Sequence, residues 1–153
     1  YLGVKRRFDI IYNNKDNGII IIDDYAHHPS EITASLKAAK TGWDKRIIAI
    51  FQPHLFSRTR DFYIEFASSL SNADIIIISD IYPAREKPIK GISSKTIIDE
   101  LVKIGHNNIL NINNINDIPN TVGQIIRKND MVVCMGAGSI FSIPNKIVEK
   151  IKT

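Results

Sequence analysis

Two aspartates, a tyrosine and two histidines follow directly on a run of isoleucines in segment 19–32, IIIIDDYAHHPSEI. Asp24, Tyr25, His27 and His28 are residue types that bind ligands and move protons. Adjacent histidines on extended backbone point to opposite sides. Ligation of one zinc ion by His27 and His28, with Asp24 and His54, is therefore awkward. The better reading has one histidine facing a ligand while the other braces the loop. A second cluster, 52–60, QPHLFSRTR, puts His54, Arg58 and Arg60 where a helix begins. Two guanidiniums beside free backbone donors can hold a carboxylate or a phosphate; a solvated helix face has the same spacing. A third, 80–88, DIYPAREKP, offers Arg85 and Glu86, either at a ligand or as an exposed ion pair.

Segment 136–141, GAGSIF, follows an apolar run, but Phe141 stands where a GxGxxG fingerprint needs its third glycine. It also comes last in the chain rather than first, so a tight strand-to-helix turn is the favoured reading. No GxxxxGK[ST] phosphate cradle occurs, nor does a convincing Ser-His-Asp or Cys-His arrangement.

The elements that must position these residues are legible from apolar patterning. Short apolar runs at 8–12, 18–23, 46–51, 74–79, 108–112 and 131–135 read as strands. Most are continuously apolar, the mark of strands buried on both faces of a parallel sheet. The turn signal NNKDN between the first two predicts a hairpin. Helices are expected at 30–42, 57–71, 94–104, 115–128 and 144–152, from helical spacing, serine caps and terminal glycines. Asp117 and Pro119 blur the start of the fourth. The alternation predicts one α/β domain: a doubly wound, three-layer α/β/α sheet of about five parallel strands with the first as an antiparallel edge. All four polar clusters then follow strands of that sheet, and the C-terminal ends of parallel strands share one edge, where ligands bind in such folds. The connectors at the opposite edge, GWDK, SNA and RKN, are plain by comparison.

The 153-residue chain is 44% hydrophobic and 24% charged, ordinary values for a globular domain able to bury a core. Its formal charge of +4 suits an anionic small ligand, yet no basic stripe interleaves with aromatics, so nucleic acid is not an expected partner. No apolar run approaches the roughly 20 residues of a membrane span. The single cysteine, Cys134, fits a reducing cytoplasm and reads as a buried inert thiol. The abundance of Ile, Asn and Lys is read as compositional bias.

GVKRRFDI, DDYAHHPSEI, FQPHLFSRTRDF, DIYPAREKPIKGIS and MGAGSI occur in that order over nearly the whole chain. Together they resemble the C-terminal domain of the Mur ligase family, a Rossmann-like unit that follows a UDP-sugar domain and a central ATPase domain. The chain starts at Tyr1 rather than Met, and residues 1–153 are expected to be that domain alone, excised from the other two. The resemblance implies a cytoplasmic step of peptidoglycan synthesis. ATP, with Mg2+ in the full-length enzyme, phosphorylates the lactyl carboxylate of UDP-N-acetylmuramate, and the amine of L-alanine displaces phosphate. It implies that Arg7 reaches the nucleotide phosphates and Asp24 the ribose region, with Tyr25 and His27 or His28 flanking the nucleotide. His54, Arg58 and Arg60 then lie near the incoming alanine, with Arg85 and Glu86 bordering its pocket. No metal is expected to bind this domain alone, its partners being the two upstream domains. The alternatives are the relative that ligates a preformed peptide in wall recycling, a dinucleotide-binding oxidoreductase, and a non-catalytic anion-binding module.

Overall fold

The computed structural model describes residues 6–152. Six strands form one sheet: β1 (Asp9–Asn13), β2 (Ile20–Asp24), β3 (Ile47–Phe51), β4 (Ile75–Ile78), β5 (Ile109–Asn111) and β6 (Met131–Met135). Their spatial order is β1-β2-β6-β3-β4-β5. β1 runs antiparallel to β2, as the NNKDN turn predicts, with a register irregularity between Ile10 and Tyr12. The other five strands are parallel. Every residue of β3 and β6 is buried, which accounts for the unbroken apolar runs. The edge strands β1 and β5 are only partly covered and short, which limits stray edge pairing.

Alternate side chains of these strands feed two cores. On one face Ile20, Ile22, Ile47, Ala49, Phe51, Ile76 and Ile78 pack against α1 (Pro29–Gly42), α2 (Phe56–Leu70) and α3 (Ser94–Lys103). On the other, Ile21, Ile48, Ile50, Val132 and Cys134 meet α4 (Ile118–Ile125) and α5 (Ile143–Lys152). This is the three-layer arrangement expected from sequence. Cys134 is buried in the middle of β6 and burial pushes its thiol up, so it stays an unreactive small hydrophobe.

The helix boundaries depart from the pattern reading in two places. Segment 115–128 divides into a 3-10 turn at Ile115–Asp117 and a short α4, whose first turn holds Pro119 and which ends by Ile126 in extended backbone. α2 is interrupted at Phe62 (φ −128°, ψ 16°), whose ring packs edge-on against His28 at 5.1 Å.

The chain order places the last strand in the middle. The connections β2-α1-β3, β3-α2-β4 and β4-α3-β5 all lie over one face. The return through α4 lies over the other and inserts β6 between β2 and β3. β6 therefore leaves into α5 on the face opposite to α1 and α2, which opens a crevice beyond its C-terminal end. At the opposite rim, Arg46 and Asp130 tie the start of β6 to the start of β3. Arg46 Nε and Nη2 donate to the two carboxylate oxygens at 3.0 and 2.7 Å, and Nη2 also reaches the Ile125 carbonyl. The Arg127 amide donates to Asp130 at 2.8 Å.

Asp130 is 2% exposed, so removing its partner strands a buried charge. Arg46→Ala is expected to cost about 3 kcal/mol of unfolding free energy, read from the urea midpoint at constant slope. A loss below about 1 kcal/mol would show that the pair is solvated.

Candidate functional site

The isoleucines of β2 end in Asp23 and Asp24, whose side chains alternate across the sheet. Asp23 takes a two-pronged ion pair from Arg6, with Nε and Nη2 at 3.1 Å. Arg6 Nη2 also donates to the Gly136 carbonyl at 3.1 Å, and its guanidinium lies over the Tyr25 ring, 5.2 Å from the centroid. One side chain thus fixes the end of β2, the turn after β6 and the tyrosine at the rim.

Asp24 lies on the other face, 6% exposed. One carboxylate oxygen accepts the Ala26 amide at 3.0 Å and the other the Ser35 hydroxyl of α1. Burial pushes its carboxyl above the usual range; the Ser35 and Ala26 bonds pull it back and the neighbouring Asp23 charge adds to the rise. Asp24 and Ser35 line a cleft of about 280 Å3 with Arg7, Phe8, Tyr25 and Glu31. Arg7 is exposed at its mouth and Tyr25 is 39% exposed above it.

The two histidines separate as the alternation of the backbone demands. His28 occupies the N-cap of α1: its Nδ1 lies 3.4 Å from the Ser30 amide, and Pro29 follows at the first helical position. Glu31 closes the box by accepting the His27 and His28 amides at 3.1 and 3.0 Å. Burial works against the Glu31 charge, but those amides together with the nearby His27 and Arg7 side chains hold its carboxyl low. His27 turns toward the crevice, with its Nδ1 2.9 Å from the Tyr25 carbonyl and its ring 6.2 Å from that of His54.

Beyond β3, Gln52 is buried and organises the glycine turn. Its Oε1 accepts the Ile140 amide at 3.1 Å and its Nε2 reaches Ser139 Oγ at 2.9 Å. A Cβ on Gly138 would stand 2.5 Å from the Tyr82 ring and 2.8 Å from Gln52 Oε1. The approach a dinucleotide phosphate would use is filled by protein, and a 3-10 turn, Ser139–Ser142, follows. The GAGS segment is a tight turn that Tyr82 and Gln52 fill.

His54 lies half-buried with its ring stacked 5.4 Å from that of Tyr82, and their two segments pair as an isolated parallel bridge. Its Nδ1 and the Nη1 of Arg58 are buried without a hydrogen-bond partner among the described residues. Burial lowers the His54 pKa, as do the charges of Arg58 and His27, so the ring is neutral near pH 7. Arg60 is exposed and paired with Asp61 at 2.8 Å. Arg85 is exposed. Glu86 spends both carboxylate oxygens on Ser57, accepting its amide at 3.1 Å and its hydroxyl.

Apart from His28, spent on the cap of α1, and Arg60, paired with Asp61, the predicted residues lie along one rim in two groups bridged by His27 and His54. Arg7, Asp24 and Tyr25 share the cleft; His54, Arg58, Arg85 and Glu86 sit over β3 and β4. Arg6, Ser35, Gln52 and Tyr82 also organise the rim and escaped sequence reasoning. Arg6 stood in view as half of the doublet Arg6-Arg7. Nothing local marks Ser35, which needs α1 to lie against β2.

Asn in place of Asp24 can keep the Ala26 bond and donate to Ser35. A buried carboxyl with a raised pKa holds its proton longer in the folded chain, so its stabilising contribution is lost as pH rises above 3.8. Asp24→Asn is therefore expected to be at least as stable as the parent at pH 7. The difference should close near pH 3.8. Thermal melts at both pH values check it; a marked loss of stability at pH 7 would refute it.

Comparison with known proteins follows the same outline. The family profile described as "Mur ligase, glutamate ligase domain" matches residues 6–138. UDP-N-acetylmuramate–L-alanine ligases of Geotalea uraniireducens and Chlorobium chlorochromatii are each 41% identical over 150 residues, covering 98% and 96% of this chain. The chain spans about a third of each relative, 32%. The crystal structure of UDP-N-acetylmuramate-alanine ligase from Thermotoga maritima superposes with a TM-score of 0.79 at 28% identity, over 96% of this chain and 30% of that one. A murein peptide ligase from Psychrobacter arcticus shares the fold, with a TM-score of 0.77 at 24% identity over 96% of this chain and 30% of that one. With residues 6–138 matched by that profile and relatives 41% identical over nearly the whole chain, the chain belongs to the Mur ligase family, as the glutamate ligase domain.

Proposed function

We propose that this chain is the C-terminal domain of a cytoplasmic ligase that joins L-alanine to the lactyl carboxylate of UDP-N-acetylmuramate in peptidoglycan precursor synthesis. The observation that carries this reading is the 41% identity to L-alanine ligases over 98% of the chain. On this reading ATP, bound with Mg2+ in the full-length enzyme, phosphorylates the carboxylate. The amine of L-alanine then attacks the acyl carbon, the carbon–oxygen bond to phosphate breaks, and the amide forms as the amine gives up its proton. Among the described residues no three His, Cys, Asp or Glu side chains converge on a metal site.

The domain's part is to position and neutralise charge as it closes over the ATPase domain. Arg7, exposed at the cleft mouth, meets the nucleotide phosphates. Asp24, with its oxygens already held by Ala26 and Ser35, meets the ribose side, and Tyr25 and His27 flank it. On the other half of the rim, Arg58 carries a buried N–H without an acceptor beside a neutral His54. An unsatisfied guanidinium is costly, and an amino-acid carboxylate is the group that relieves it. Arg60 and Arg85 add positive potential at the edge.

The full-length protein should release ADP only with UDP-N-acetylmuramate and L-alanine together, whereas residues 1–153 alone release none. Turnover by the isolated domain would overturn the proposal, and preference for a preformed peptide over L-alanine would move it to the recycling relative. Arg7→Ala in the full-length protein is expected to lower kcat/KM for ATP by about 10²–10³ with the melting temperature unchanged. A near-normal rate would remove that role.

A further inference from the structure

α2 begins without a cap of its own. Leu55 holds the cap position at φ +74° and offers no side-chain acceptor, so the first amides of the helix have no local partner. Glu86 supplies it from another loop. Its carboxylate takes the Ser57 amide at 3.1 Å and the Ser57 hydroxyl, with a further bond from the Phe56 amide. A negative charge at a helix N-terminus is favoured by the unpaired amides and the helix dipole. Glu86 closes a turn in which its own amide donates to the Pro83 carbonyl at 2.8 Å and Ala84 adopts φ +53°. The loop is stitched again at its base, where Tyr82 donates to the Pro53 carbonyl and Leu55 to the Tyr82 carbonyl. Arg58 follows Ser57 directly, and Arg85 precedes Glu86.

We infer that Glu86 is a positioning residue that caps α2 from the β4 loop and so sets Arg58 and Arg85 in register on the amino-acid side of the rim. This rests on the ligase reading above. Both Glu86 carboxylate oxygens are taken by Ser57, so its part is to hold together the two segments that carry Arg58 and Arg85. Loss of the clamp frees the start of α2 and the 83–86 turn together, while the Asp24 cleft, built from β2 and α1, is untouched.

The test is steady-state kinetics of the full-length protein with Glu86→Gln and Ser57→Ala. Glu86→Gln keeps the size but loses the charge and one acceptor oxygen. It should raise KM for L-alanine about tenfold, with KM for ATP and kcat at saturation within about twofold of the parent. Ser57→Ala, which keeps the amide bond, should shift the same constant by a smaller factor. An unchanged KM for L-alanine in Glu86→Gln, or equal rises for both substrates, overturns the inference. If Glu86→Gln does not fold, Ser57→Ala decides by the same criterion. If the parent shows no turnover dependent on L-alanine, the ligase reading itself has failed. Amide exchange then decides the cap: faster exchange at residues 56–58 but not at 31–35 in Ser57→Ala supports it, and unchanged exchange ends it.

Discussion

The placement of β6 between β2 and β3 is the constraint on which the rest of this domain depends. Both faces of that strand are buried, and it joins the two cores. Until it inserts, β2 and β3 have no common neighbour, and Asp24, Gly136 and Gln52 have no common rim. An arginine secures it at each end. Arg46 and Asp130 hold its start against β3, and Arg6 holds the turn after it against Asp23 of β2. Such pairs are costly to desolvate and weak as net stabilisers, but severing one leaves a buried charge unpaired. Their contribution is to make alternative registers of the central strand unfavourable.

The rim carries two kinds of polar side chain. Arg6, Gln52, Glu31, His28 and Glu86 have their hydrogen bonds met within the protein and form the scaffold. Arg7 and Arg85 are exposed, His54 and Arg58 retain buried atoms without partners, and Asp24 carries a charge that burial disfavours. The second group gives up stability to keep its polar capacity available, the usual compromise at a binding edge. In the ligase reading the two halves of the rim divide the work: nucleotide over β2, amino acid over β3 and β4. His27 and His54 meet between them. Burial and the Arg58 guanidinium both disfavour a charge on His54.

Scaffold and site are therefore entangled along the sequence. Residues held within the protein sit beside the candidate site residues: Arg6 next to Arg7, His28 next to His27, Glu86 next to Arg85. At His27-His28 the extended backbone sends neighbouring side chains to opposite sides, so His28 holds the loop while His27 turns to the crevice. This economy lets short loops stay ordered without secondary structure of their own.

The sequence by itself determined the layered α/β architecture, the hairpin, the antiparallel edge and the polar rim. Strands buried on both faces leave continuous apolar runs, and parallel strands put their following loops on one side. It also showed that one histidine of the pair would brace its loop, because neighbouring side chains alternate. Tertiary structure alone decided that His28 is the brace, that the arginine doublet divides into a clamped Arg6 and an exposed Arg7, and that Glu86 caps a helix. It also decided that α4 is shorter than its apolar pattern suggested, since Pro119 bounds its start and the chain turns extended at Ile126. Those outcomes hang on distances between segments far apart in the chain, Arg6 with Gly136, Ser57 with Glu86, Asp24 with Ser35, and hydrogen-bond partners chosen across a folded sheet leave no periodic trace in the sequence.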